Sequence, residues 1–161
     1  MKLYAKEKLM SLHNRYFIYN EFEEIQYEIE SKAISIGAKT TIYDKYHNTV
    51  AYIEEEVLHL MPHYNVYINN ALQYHIKKKF HFFNNDYELS NNYNVEGSTF
   101  NMNFSILNNQ GKLIATVERA LLSLGDKYEI NILDENDITT ILTKIVAITN
   151  DIDRAQASSS N

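Results

Sequence analysis

Lys77, Lys78 and Lys79 form the only dense basic run in the chain. Their chemistry would be electrostatic capture of an anion: a lipid head group or a phosphate. In an extended strand neighbours alternate faces, so Lys77 and Lys79 share one side and Lys78 takes the other. Two lysines on one face more often serve as a solvated surface that discourages edge pairing. They are nevertheless the candidate ligand-binding residues of the sequence.

The histidines raise metal chemistry. His59 and His63 flank Met61-Pro62 in an expected turn, and His75 and His81 lie one hairpin further on. With no acidic ligand identified near them, the reading is of scattered turn and surface histidines, and no metal site is expected. Asp134, Glu135 and Asp137 have carboxylates that suit calcium, yet they lack the alternating ligand loop with its glycine. Capping of a helix start explains them better. Glu54-Glu55-Glu56 reads as a solvated strand. For catalysis the chain offers no nucleophile elbow, phosphate-cradling glycine loop, HExxH or dinucleotide turn. No enzymatic activity and no cofactor are expected.

The elements that must carry these residues follow from composition and spacing. The chain has 161 residues, which fits one domain that buries roughly 70% of its unfolded surface. Thirteen Tyr and seven Phe against one Pro and four Gly favour strands over loops. The absence of Cys excludes disulfides, thiolate ligands and thiol nucleophiles. The net charge of −6 opposes attraction to nucleic acid, so no nucleic-acid partner is expected. With no long apolar run and no apolar signal core, the expected location is cytoplasmic.

One pattern recurs six times, centred on turns at Ser11, Ser35, His59, Phe82, Asn101 and Ser123. Most copies are about 23 residues apart, and a unit this small must bury its apolar face on its neighbours. Before the turn stand Ala5, Ile29, Ile53, Ile76, Val95 and Val117, and closer to it Leu9, Ala33, Val57, Phe80, Thr99 and Leu121. After it come Tyr16, Thr40, Tyr64, Tyr87, Phe104 and Tyr128, then Ile18, Ile42, Val66, Leu89, Ile106 and Ile130. Apolar residues of one parity on both sides of a polar turn describe a hairpin with one buried face. Asn69-Asn70, Asn91-Asn92 and Asn108-Asn109-Gln110-Gly111 supply turn formers between copies. Six hairpins give about twelve strands, and twist and exposed edges close such a sheet into a barrel.

One position breaks the pattern. Four residues before each turn stand Glu7, Ser31, Glu55, Lys78, Gly97 and Arg119, which share the parity of the buried set. Unpaired buried charges cost several kcal/mol each, so a β-bulge that turns these residues outward is the simpler expectation. The alternative is an internal ring of charge with Lys144 as a partner.

A barrel of this width leaves a lumen that strand side chains do not fill. The helical segment from Asp134 to about Asp151 is the candidate occupant, with Ile138, Ile141, Leu142, Ile145, Val146 and Ile148 at helical spacing. Its other face carries Thr139, Thr140, Thr143, Lys144 and Thr149, and Thr hydroxyls can bond back to helix carbonyls. Spacing alone leaves open a helix inside the barrel or an amphipathic helix across its mouth. Residues 1–152 make up the expected domain, and 153–161 a flexible tail.

Gly111-Lys112, Ile114-Ala115-Thr116-Val117 and Ser123-Leu124-Gly125-Asp126-Lys127-Tyr128-Glu129-Ile130 resemble the closing hairpins of the LURP-one-related family. Asn94-Val95-Glu96-Gly97 and Ile76-Lys77-Lys78-Lys79-Phe80 resemble that family's strings at matching places, and the similarity extends over about residues 2–150. The resemblance implies the tubby-like fold: all-β with one helix, a twelve-stranded antiparallel β-barrel around a central C-terminal hydrophobic α-helix, as also in phospholipid scramblases. It favours the internal helix. It also implies a non-enzymatic binding or scaffold module, with peripheral contact to anionic membrane lipid through Lys77 and Lys79. The alternatives are a protein-docking module using aromatics such as Phe83 and Tyr93, and a lipid-modifying enzyme whose site has no signature. Scramblase traits are missing, since there are no cysteines to acylate and no apolar C-terminal anchor.

Overall fold

The computed structural model describes residues 1–6, 15–33, 37–79, 86–90, 93–99, 101–122 and 125–159. Its strands are β1 (Lys2–Lys6), β2 (Arg15–Tyr19), β3 (Ile25–Ala33), β4 (Ala38–Asp44), β5 (Thr49–Glu55) and β6 (His63–Ile68). They continue with β7 (Ala71–Lys79), β8 (Asp86–Leu89), β9 (Asn94–Ser98), β10 (Asn103–Leu107), β11 (Leu113–Leu122) and β12 (Gly125–Ile132). A 3-10 turn at Glu135–Asp137 leads into α1 (Ile138–Ser159).

All twelve strands form one sheet in the order β8-β7-β6-β5-β4-β3-β2-β1-β12-β11-β10-β9. Sequence neighbours pair antiparallel, and β1 pairs with β12 from Lys2↔Asn131 to Lys6↔Lys127. The two ends of the sheet, β8 and β9, are themselves neighbours in sequence and, among the described residues, meet at one bridge, Leu89↔Tyr93. The result is a nearly closed antiparallel barrel of six hairpins.

The repeat parity is the parity of burial. Ile18, Ile42, Val66, Leu89, Ile106 and Ile130 are all buried, as are Tyr16, Thr40, Tyr64, Tyr87, Phe104 and Tyr128. Links between hairpins also repeat. The side-chain oxygen of Asn20 accepts from the N–H groups of Phe22 and Glu24, that of Asp44 from Tyr46 and Asn48, and that of Asn108 from Gln110 and Lys112. In each loop the residue three beyond the cap (Glu23, His47 or Gly111) has positive φ. A short polar side chain mimics the backbone partner of the turn and lets the chain reverse. Asn69-Asn70 instead has positive φ at both residues, the twist that suits a two-residue hairpin.

Four of the six expected turn centres, Ser11, Ser35, Phe82 and Ser123, lie outside the described residues, as do Leu9, Phe80, His81, Phe83, Asn91, Asn92 and Glu7. Of the remaining residues expected to be buried just before the turns, Thr99 is buried but Val57 is 42% exposed.

The helix is inside. Residues 141–149 are all buried, and nine consecutive positions cover every direction around a helix of 3.6 residues per turn. A helix lying across the mouth would bury one stripe. Its buried threonines are satisfied locally: Thr143 Oγ1 donates to the Thr139 carbonyl at 3.0 Å and Thr149 Oγ1 to that of Val146 at 3.1 Å. The acidic start caps, as expected: Asp134 Oδ1 accepts from Asn136 N–H and Asp137 Oδ1 from Thr140 N–H, each at 3.2 Å. The expected tail is different. Residue 153 does not begin a frayed end, because the helix continues to Ser159 and Arg154 is tied into the barrel wall.

The bulge expected beside the minus-four residues is also absent where it was placed. Register runs regularly through Glu55↔Tyr64 and Lys78↔Tyr87. The shifts fall just after Ile18, Ile42, Val66 and Ile106, at the other end of the hairpins and next to the polar links. Glu55 and Lys78 therefore keep their inward parity. Gly97, the same position in its copy, has φ of 101°, and a Cβ there would lie 2.7 Å from the Asn103 carbonyl oxygen.

Candidate functional site

The lysine run divides as strand alternation requires. Lys77 and Lys79 are exposed on the outer face of β7, while Lys78 is turned inward. Lys79 Nζ lies 3.9 Å from Glu88 Oε2 on β8, and Lys77 stands opposite Glu88 in register. One carboxylate thus already shares the face with the two cations. Beside them runs the loop of residues 56–62 between β5 and β6, where the Pro62 carbonyl accepts from Lys78 N–H. Leu58 and Leu60 project from this loop fully exposed, with Val57 half-exposed.

Inside, three of the minus-four residues, Ser31, Glu55 and Lys78, meet the C-terminal half of α1, whereas Arg119 is exposed. Lys78 Nζ donates to Asp151 Oδ2 at 2.8 Å, and the phenol hydroxyls of Tyr64 and Tyr87 donate to the two Asp151 oxygens at 2.7 Å each. Arg154 pairs with Glu55 and reaches the Tyr64 hydroxyl, and Glu55 Oε2 also accepts from Ala38 N–H at 3.0 Å. A third group completes the collar: Asn150 Nδ2 donates to Ser31 Oγ and Thr40 Oγ1. Thr40, the copy without an aromatic, leaves the room Asn150 needs. Two acids face two bases, so the collar is charge-balanced, the condition under which buried ions persist. Burial, followed by the Asp151 charge, pushes the Tyr64 and Tyr87 phenols well above their ordinary range.

Lys144 is not part of that ring. It is fully buried nearer the start of α1, with Nζ 3.5 Å from the centroid of the Tyr74 ring and 4.5 Å from that of Tyr93. Its amine has no hydrogen-bond partner among the described residues. Burial lowers its pKa to about 7, against a smaller opposite pull from Asp137. Tyr93 is half-buried against this lysine and so is not the free aromatic anchor the sequence suggested.

The histidines are less scattered than expected. His59 Nε2 lies 2.9 Å and His63 Nδ1 3.4 Å from Glu56 Oε2, and the His63 ring packs edge-on against His75 at 5.5 Å. The amide of Asn65, then the two histidines, hold the Glu56 carboxyl below its usual range, while burial lowers His63 against the pull of Glu56. Glu56 is the residue sequence reading passed over. It looked like one of three solvated glutamates, whereas its neighbours Glu54 and Glu55 go to Lys39 and Arg154.

A barrel of twelve antiparallel strands threaded by its C-terminal helix defines the tubby-like class of fold. A protein from Arabidopsis thaliana with a known crystal structure shares it, at a TM-score of 0.65 with 12% identity, over 91% of this chain and 89% of that one. The chain belongs to the LURP-one-related family, whose model it matches over residues 1–149. It is also similar to the uncharacterized protein YxjI of Bacillus subtilis (strain 168), with 24% identity over 139 residues, 86% of this chain and 85% of that protein. Among the described residues no helix is long and apolar enough to cross a membrane.

Proposed function

We propose that the protein is a binding module that works from its outer surface and catalyses no reaction. The observation that supports this reading is the occupied lumen: among the described residues, 141–149 are buried on every side of α1, so the helix takes the place an interior ligand would need. Enzyme sites are concave and enclose most of a small ligand. Here the polar groups of the collar are spent on one another.

The surface we assign is the β5–β6 end. Leu58 and Leu60 stand fully exposed beside the Lys77–Lys79 face of β7, and apolar side chains flanked by cations suit an anionic lipid surface. Two inserted leucines contribute roughly 3–5 kcal/mol. Two lysines add about 1 kcal/mol each near such a surface. The net charge of −6 and Glu88 work against both, so the contact is weak and reversible.

Flotation with vesicles tests this. Vesicles of phosphatidylcholine containing phosphatidylserine should carry the protein upward, and pure phosphatidylcholine much less. Lys77→Glu with Lys79→Glu should cut binding about 10-fold or more, and Leu58→Ser with Leu60→Ser should do likewise. Equal behaviour on both vesicle types would remove the anionic-lipid reading. Unchanged binding by both variants would remove this surface.

A further inference from the structure

We propose that Glu56, His59 and His63 form a binding site for a divalent transition-metal ion of the zinc type. The proposal is independent of the lipid reading.

The chain path brings the three together. Glu56 leaves the end of β5 with its N–H still paired to the His63 carbonyl at 2.8 Å, so these two residues face each other across the hairpin. Leu58, at φ of 76°, turns the chain back and swings His59 over the Glu56 carboxylate. One ligating atom from each residue then lies within 4.8 Å of the other two. Glu56 Oε2 is 2.9 Å from His59 Nε2 and 3.4 Å from His63 Nδ1. A tetrahedral ion with bonds of about 2.0–2.1 Å holds its ligand atoms roughly 3.3 Å apart, so the cluster needs only small adjustments to close on one. Two imidazoles and one carboxylate form a donor set suited to zinc, and three protein ligands leave a fourth position for water. That position faces solvent, because His59 is about half exposed.

A supporting layer stands behind the ligands. Glu56 Oε1 accepts from Asn65 Nδ2 at 2.7 Å, which leaves Oε2 directed at the histidines. Asn65 Oδ1 is in turn 2.6 Å from His75 Nδ1, and the His75 ring lies edge-on to that of His63. Outer partners of this kind orient metal ligands and are worth about 10- to 100-fold in affinity. Helix capping or core packing does not require this arrangement, since the cluster lies on the rim of the barrel. It borders a concavity of about 380 Å³ beside the 57–62 loop. An ion there would clip that loop to β6 and fix the presentation of Leu58 and Leu60.

Equilibrium dialysis against zinc chloride, with bound metal read by mass spectrometry, measures the site directly. The full chain should bind one zinc ion. His59→Ala, His63→Ala and Glu56→Gln should each weaken binding at least about 10-fold, and Asn65→Ala by about 10-fold through its hold on Glu56. His47→Ala, whose ring stacks on Tyr43 at the β4–β5 turn, the opposite end of β5 from Glu56, should bind as the unaltered protein does. Cobalt loaded in place of zinc should give the intense visible absorption of a tetrahedral centre in the unaltered chain, a readout that needs no variant to fold. Failure to retain zinc, a weak octahedral cobalt spectrum, or equal losses in His47→Ala and His59→Ala would each overturn the proposal.

Discussion

Lys78 Nζ donates to Asp151 Oδ2 at 2.8 Å, joining a strand in the middle of the chain to the helix at its end. Asp151 is 3% exposed and also accepts both tyrosine hydroxyls, so one carboxylate holds three donors from β6, β7 and β8. The hydrophobic effect drives the helix into the barrel without choosing its rotation or depth. The collar supplies that choice, because only one register pairs Asp151 with Lys78, Arg154 with Glu55, and Asn150 with Ser31 and Thr40.

Removing the carboxylate should therefore cost much more than a surface ion pair. Asp151→Ala leaves Lys78 buried without its partner and strands two phenols, a loss of about 3–5 kcal/mol in urea unfolding. The double variant Asp151→Leu with Lys78→Met should recover much of that, since an apolar pair replaces a buried ionic one at little cost. A loss below about 1 kcal/mol for the single variant would show that the collar does not hold the helix.

Lys144 gives a pH signature. Unfolded, its amine titrates at the ordinary 10.5; in the fold, burial brings it to about 7. Between those values the unfolded chain binds more protons than the folded one, so stability rises as pH increases from about 7 toward 10. Above that range the trend reverses. Buried Tyr64, Tyr74 and Tyr87 keep their protons in the fold while the unfolded phenols ionise. Thermal unfolding across pH 7–10 should show the rise. Lys144→Met should flatten it and stabilise the protein at neutral pH by on the order of 4 kcal/mol. A flat profile in the unaltered chain would mean that Lys144 reaches water.

The parts of the fold legible in the sequence were those fixed by local parity. Ile18, Ile42, Val66 and their counterparts repeat on one side of each turn, and burial follows them without exception. The lumenal helix was half legible. Ile141 and Ile145 marked one face, but Thr143 and Thr149 hid the other until their bonds to helix carbonyls were known. The collar was not legible from local pattern. The cost of burying Glu55 or Lys78 depends on Arg154 and Asp151, 99 and 73 positions away, and no window of sequence holds both partners. A bulge was the economical reading of charge at a buried parity. The bulges instead follow Ile18, Ile42, Val66 and Ile106, where the polar links end the ladder. The part of Glu56 beside His59 and His63 was hidden for a different reason: it reads as one of three solvated glutamates, and a loop with positive φ at Leu58 produces the convergence.

If the barrel is a nearly closed body filled by its helix and acts from its surface, amide hydrogen exchange on α1 is the most direct test. The amides of residues 141–149 should exchange only through global unfolding, with the same free energy as the denaturant transition, in the presence or absence of vesicles. Exchange of these amides through a cheaper local opening would show that the helix leaves the lumen, and would contradict the account.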